Sequence, residues 1–255
     1  DVTDIAIIRV GNASAAALIG FLEDLYEGEA TFPVDVPVPA GTTDFSQFIA
    51  AAEAEDVGGV NLAVGEQEGV QVIEAGQQLG TDLLIGTSLG SSSHASVADL
   101  GDFASQMVFT WSFPPATYDL PVYEALRADL AASGEESLQL ENLKGSPMRS
   151  WIGLYGLLRM IRDAEMTEFT REGITAMLDE ATGVPMLGIF GDEDWTPALD
   201  HPGAYTRAGI NHWVTWKWDP DAEAPNGLEG NFVETGEINF DELMCGSSLG
   251  APEPC

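Results

Sequence analysis

Short apolar runs alternate with longer mixed segments through the first 110 residues. Ile5-Ala6-Ile7-Ile8 is a β-rich run, followed by Gly11-Asn12 and an amphipathic stretch from Ala13 to Tyr26. Phe32 to Val38 reads as a second strand, whose prolines favour a sheet edge or a strand start. Thr43 or Asp44 supplies an N-cap for a helix running through Ala54. Val57–Val64, Leu83–Ile85 and Gln106–Trp111 complete a set of five strands, with helices over Glu68–Leu79 and Val97–Ser105. Each strand is followed by a helix-length segment rather than a two-residue turn. Such connections make right-handed βαβ units and a parallel sheet covered by helices on both faces, with strand order 2-1-3-4-5. The fold class is therefore α/β.

After Pro114-Pro115 the pattern changes. Leu120–Ala132, Met148–Ala164 and Arg171–Ala181 are helical, and Trp151, Leu154, Tyr155, Leu158 and Ile161 form an apolar stripe on the second. Helices need a sheet to pack on, and the stretch from about 118 to 190 carries no strands of its own. A second polypeptide or a missing N-terminal segment is therefore expected to cover those stripes. A hairpin follows, His212-Trp213-Val214-Thr215-Trp216-Lys217-Trp218, a turn through Pro220 to Gly227, then Phe232-Val233. Its alternating rings suit one face of a sheet.

Charge narrows the partners. Forty-two acids against nine Lys and Arg give a net charge of −33, and residues 1–113 hold seventeen acids and one base, Arg9. No basic stripe exists to neutralise phosphates, so nucleic acid is excluded as a partner. The acidity fits a solubility adaptation to a saline or extracellular setting. No apolar run approaches the roughly 18 residues of a membrane span. Cys245 and Cys255 sit in a Gly/Pro/Ser-rich tail, which points to a disulfide and to export.

Gly86-Thr87-Ser88-Leu89-Gly90 fits the G-x-S-x-G pattern of a nucleophile elbow, and also a Gly/Ser-rich binding loop after a parallel strand. Ser91-Ser92-Ser93-His94 is too polar to open the buried helix an elbow requires, and no HGGG-like segment precedes it. No catalytic residue is assigned, and a serine hydrolase using Ser88 is kept as the rival reading. Asp192-Glu193-Asp194 and Asp219-x-Asp221-x-Glu223 lack the glycine and terminal glutamate of a calcium loop, so solvated loops are expected and no metal. His94 and His201 read as surface or cleft residues. No G-x-G-x-x-G or Walker loop is present, so no cofactor is expected.

Open α/β sheets bind ligands beyond the carboxyl ends of their strands. The loops there carry Asn12 and Ser14, Glu66 and Gln67, Thr87 and Ser88, and Trp111, with Arg9 at the end of the first strand. Backbone amides, hydroxyls and an aromatic wall suit a small polar molecule. Glu66 would accept from an amino or amide group, Ser88 would bind without reacting, and Trp111 would offer an apolar wall or a cation–π face. Arg9 either holds a ligand carboxylate or pairs with a nearby acid.

The segment from Gly41 to Gly80, and above all Thr43-Asp44-Phe45-Ser46, resembles the second lobe of type I periplasmic binding proteins of the branched-chain amino-acid group. "MVFTWSFPP" resembles that group's strand approaching the hinge, and Trp151–Ala164 its long helix after the crossover. The resemblance implies a two-lobed fold with residues 1–113 as one ligand-binding lobe. It further implies that 114–210 belong to the other lobe and that 211–255 form a returning hairpin and tail. It also implies a non-enzymatic solute-binding protein of an ABC importer, partnered by a permease and binding an amino acid or a related amide or carboxylate between its two lobes. Such a protein is periplasmic or extracellular, anchored as a lipoprotein through a missing N-terminus. The group often has a tyrosine where Ala13-Ser14 stand and an acid where Thr87-Ser88 stand, which weighs against an α-amino-acid ligand. A ligand-sensing receptor domain of the same fold is a further alternative.

Overall fold

The computed structural model describes residues 2–135, 139–180, 212–224 and 227–239. Seven strands form one sheet: β1 (Asp4–Val10), β2 (Thr31–Val38), β3 (Gly59–Ala63), β4 (Leu84–Ser88), β5 (Met107–Trp111), β6 (His212–Glu223) and β7 (Glu229–Asn239). Their order is β2-β1-β3-β4-β5-β6-β7. The first five are parallel throughout, as their helix-length connections require, and β6 and β7 add as an antiparallel hairpin with Phe109 opposite Trp216. The expected order 2-1-3-4-5 is the one observed. Pro33 and Pro37 lie in β2, at the edge of the sheet, where a missing N–H breaks no ladder.

The connecting helices are α1 (Ala13–Leu25), α2 (Ser46–Glu53), α3 (Glu66–Leu79) and a short α4 (His94–Ala98). Asp44 reaches the first turn of α2 from outside it, its Oδ1 accepting from the Ser46 backbone N–H (3.0 Å) and hydroxyl (2.6 Å). Those two bonds hold the Asp44 carboxyl below its ordinary pKa. Where a helix over 97–105 was expected, α4 ends at Ala98 and a 3₁₀ turn spans Gly101–Gln106. The helix starts early because Ser93 and Ser96 make a reciprocal capping box.

Two cores result. Ala6, Ile8, Val36, Val38 and Val60 pack with Phe48, Ile49 and Ala52 of α2 and Val72 and Ala75 of α3. Ile7, on the opposite face of β1, is also fully buried, so that strand is covered on both sides. The second core joins Ile85, Phe109 and Trp111 to Trp216, Trp218 and Phe232 of the hairpin. Rings meet edge to face there, Phe109 with Phe232 and Tyr118 with Trp216, both at 5.3 Å. The rings at Trp216 and Trp218 pack inward as the alternation predicts, and Trp213 is exposed.

The helical segment differs from expectation. Helices α5 (Pro121–Ser133) and α6 (Gly145–Asp163) find a sheet within this chain, because the hairpin widens it. Val122, Tyr123, Leu126 and Leu130 of α5, with Met148 and Ile152 of α6, enter the aromatic core. The buried line of α6 is Met148, Ile152, Gly156 and Met160, offset from the stripe read in the sequence. Trp151 and Tyr155 stack at its margin with ring centroids 4.8 Å apart, and Leu154 and Leu158 are 57% and 56% exposed. A further helix, α7 (Arg171–Glu180), follows. His201, the acidic cluster at 192–194 and both cysteines, with their expected disulfide, lie outside the described residues.

Candidate functional site

The carboxyl ends of β1, β3, β4 and β5 bring their loops to one end of the sheet. At the first of them, Arg9 is buried and its guanidinium grips Asp35 of β2 through two 2.6 Å bonds, Nε to Oδ1 and Nη2 to Oδ2. Nη1 donates to the carbonyls of Val10 and Asn12. Of the two roles open to Arg9, the structure gives it the ion pair. Asn12 caps α1, its Oδ1 accepting from the Ala15 N–H at 2.8 Å, and Ser14 is exposed in the first turn.

Glu66 and Gln67 open α3 and both are exposed. The Glu66 carboxylate is paired with the ammonium of Lys144, which precedes α6. Thr87 is buried near the end of β4 and Ser88 is partly exposed beside it. Ser88 has relaxed extended backbone (φ −82°, ψ 130°), its Oγ accepts from Gly90 N–H at 3.1 Å, and only a three-residue 3₁₀ turn follows. A nucleophile elbow needs a strained turn running straight into a long helix, and that geometry is not formed here.

His94 is buried, which corrects its reading as a surface or cleft residue. Its Nε2 lies 2.9 Å from the Gly230 carbonyl of β7 and its ring packs edge-on to Trp218 at 4.9 Å. A carbonyl only accepts, so Nε2 carries the proton. The hairpin is gripped twice more, by Thr117 Oγ1 to Asn231 Oδ1 (2.7 Å) and by Tyr118 Oη to the Phe232 carbonyl (3.0 Å). Between these grips lies a cavity of about 20 Å³ bounded by Leu89, Ser92, His94, Thr117 and Met148. That is room for one water molecule and no solute.

Trp111 is 5% exposed at the end of β5. Two glycines let backbone lie on its ring. A Cβ at Gly90 would fall 2.5 Å from Trp111 Cζ3, and one at Gly145 would meet Gly90 Cα at 3.0 Å and Trp111 Cε2 at 3.1 Å. The start of α6 is thereby pressed against the turn after β4. One helical turn beyond Gly145, the guanidinium of Arg149 sits 5.3 Å from the Trp111 ring centroid. The indole Nε1–H is buried and has no acceptor among the described residues.

So the structure joins Glu66, Ser88 and Trp111 at one end of the sheet and commits Arg9 to Asp35. Sequence reasoning missed Lys144, Gly145 and Arg149, which arrive from more than thirty residues beyond β5. The available signal was charge: two of only nine basic residues fall within Lys144-Gly145-Ser146-Pro147-Met148-Arg149, at the start of a helix. Among the described residues no three of His, Cys, Asp or Glu gather as a metal ligand set. No described helix is long and apolar enough to cross a membrane.

The fold has close counterparts among solved structures. The chain is similar to a fatty acid ABC transporter substrate-binding protein from Thermomonospora curvata (TM-score 0.71, 16% identity, 99% of this chain and 60% of that one). It is also similar to a solute-binding protein from R. palustris in complex with 4-hydroxybenzoate (TM-score 0.68, 14% identity, 93% and 61%). A leucine-, isoleucine-, valine-, threonine- and alanine-binding protein from Brucella ovis aligns likewise (TM-score 0.66, 14% identity, 94% and 58%). The chain thus spans about three fifths of the length of these proteins. No curated protein sequence matches it. The family model for periplasmic binding proteins matches residues 2–210. With that match and the 2-1-3-4-5 parallel sheet, the chain belongs to the periplasmic binding proteins, in their type I α/β fold.

Proposed function

We propose that this chain is the extracytoplasmic solute-binding component of an ABC importer, holding a small organic solute at the carboxyl ends of β1, β3, β4 and β5 and delivering it to a permease. The carrying observation is the convergence there of Glu66, Ser88 and Trp111 with Lys144 and Arg149 from the start of α6. Hydroxyls, an ion pair and a cation on an indole can hold a polar solute, and nothing in the relaxed Ser88 turn prepares a nucleophile. The names of the similar structures, all transporter or solute-binding proteins, support the same reading.

In this proposal residues 1–113 and the returning hairpin form one ligand-binding lobe, and the helices between lead to a second. The exposed Leu154 and Leu158 support a further packing partner for α6, completing that second lobe. Native mass spectrometry of the purified protein tests the function. A stoichiometric small molecule, released on denaturation and rebound with tryptophan fluorescence change, is the expected result. Ser88-dependent hydrolysis of an ester, with no bound molecule, would restore the hydrolase.

A further inference from the structure

The β6–β7 hairpin is anchored along only part of its length. Its ladder with β5 runs from Val214 to Trp216, yet β6 continues to Glu223 and β7 begins at Glu229. Among the described residues the far end pairs only within itself, Trp218 with Phe232, Asp219 with Asn231 and Glu223 with Glu229. That end carries four acids, Asp219, Asp221, Glu223 and Glu229, and no base. Lys217, the only Lys or Arg of the hairpin, stands opposite Val233, while two glutamates are register partners. Like charges placed directly opposite destabilise a strand pair. The neighbouring surface adds to the repulsion. Strand β6 lies against the 3₁₀ turn Gly101–Gln106, where Asp102 and, just before the turn, Asp99 are exposed.

What holds this end down acts at short range. The His94 Nε2–H donates to the Gly230 carbonyl at 2.9 Å, Thr117 Oγ1 donates to Asn231 Oδ1 at 2.7 Å, and the His94 ring meets Trp218 edge-on at 4.9 Å. Gly230 has a φ of 72° and lies so close on the Trp218 ring that a Cβ would strike it. Trp218 and Phe232 are buried beneath these contacts. Salt acts unequally on the two sets of forces. Hydrogen bonds and ring contacts at such distances are little screened, whereas repulsion between exposed acids reaches about 30 Å at 0.01 M salt and about 3 Å at 1 M.

We infer that the far end of the hairpin is an ionic-strength-dependent clasp, closed over Trp218 and Phe232 when its acids are screened and released from the sheet at low salt. Release opens the aromatic core that α5 and α6 share with the sheet. The clasp is a property of the fold, independent of what the strand-end site holds.

Amide hydrogen exchange of the purified chain, read by mass spectrometry at one pH and in NaCl of about 0.01 M and about 1 M, tests this. Peptides covering 218–232 should exchange about fivefold or more faster at the lower salt. There, Glu223→Gln combined with Glu229→Gln should slow the same peptides about fivefold and leave those of β1 within about twofold. Glu53→Gln combined with Glu55→Gln makes the same change of charge on α2 and should leave 218–232 as in wild type. Protection of the β1 peptides shows that each variant is folded. Exchange of 218–232 that does not respond to salt overturns the clasp, and so does a response that the Glu223 and Glu229 substitutions leave intact. Equal slowing of 218–232 by the two double variants, or slowing of β1 as large as that of 218–232, also overturns it. Either would assign the effect to the net charge of −33 acting on the whole fold.

Discussion

The two cores of this protein are built differently. Around β1, β2 and β3 the side chains are mostly aliphatic and come from successive βα units. Around β4 to β7 a group of Trp, Phe and Tyr rings is set among the aliphatic side chains, and partners lie far apart in the chain: His94 reaches Gly230 across 136 positions, and Thr117 reaches Asn231 across 114. Local units can bury small branched residues because each helix packs back on the strand beside it. Large rings do another job, spanning the gap where α5, and a hairpin that begins a hundred residues after β5, meet the sheet. The candidate site stands at the end of the second region. Its key cation is placed by long-range packing and not by the strand it follows.

The contrast predicts where damage is greatest. Trp216, fully buried at the centre of the aromatic core, should cost about 3–5 kcal/mol when replaced by Ala, measured by urea unfolding. A loss below about 1 kcal/mol would mean that the hairpin is not part of the cooperative unit. Gly90→Ala comes next, at about 1–3 kcal/mol, since its methyl would press on the Trp111 ring and on α6. It should also shift tryptophan emission, and a neutral result would break the account of why α6 lies where it does.

In the aliphatic core, Ile49→Val removes one methylene from a fully buried site and should cost only about 0.5–1.5 kcal/mol. Thermal and urea unfolding should agree on that smaller figure. The smallest effect belongs to Asp44, at the solvent edge of α2. Its carboxyl is held below the ordinary value by the Ser46 bonds, so the unfolded state takes up the proton first as pH falls. The stabilisation is present above the ordinary carboxylate pKa of about 3.9 and is lost as pH falls through the lower folded value. Unfolding followed from pH 7 downward should therefore show the difference between wild type and Asp44→Ala constant above the ordinary carboxylate pKa and shrinking as the pH falls below it. A difference that does not shrink with pH would assign the effect to something other than charge.

Alternation of apolar runs with helix-length segments was enough to read five parallel strands and their order, because a parallel connection leaves few alternatives. The prolines of 32–38 left a sheet edge or a strand start open, and the sheet order puts that strand at the edge. The loops at the strand ends were legible too, since strand direction alone sends Glu66, Ser88 and Trp111 to one end. Periodicity marked α6 as amphipathic but misjudged its inner face, taking Leu154 and Leu158 for core. Which side of a helix faces inward depends on what it meets, and α6 meets a turn and an indole that no local pattern announces. The same limit hid Arg149. Nothing near it in the chain distinguishes it from any solvated arginine, and its position over Trp111 exists only because two glycines, fifty-five residues apart, let two pieces of backbone touch one ring.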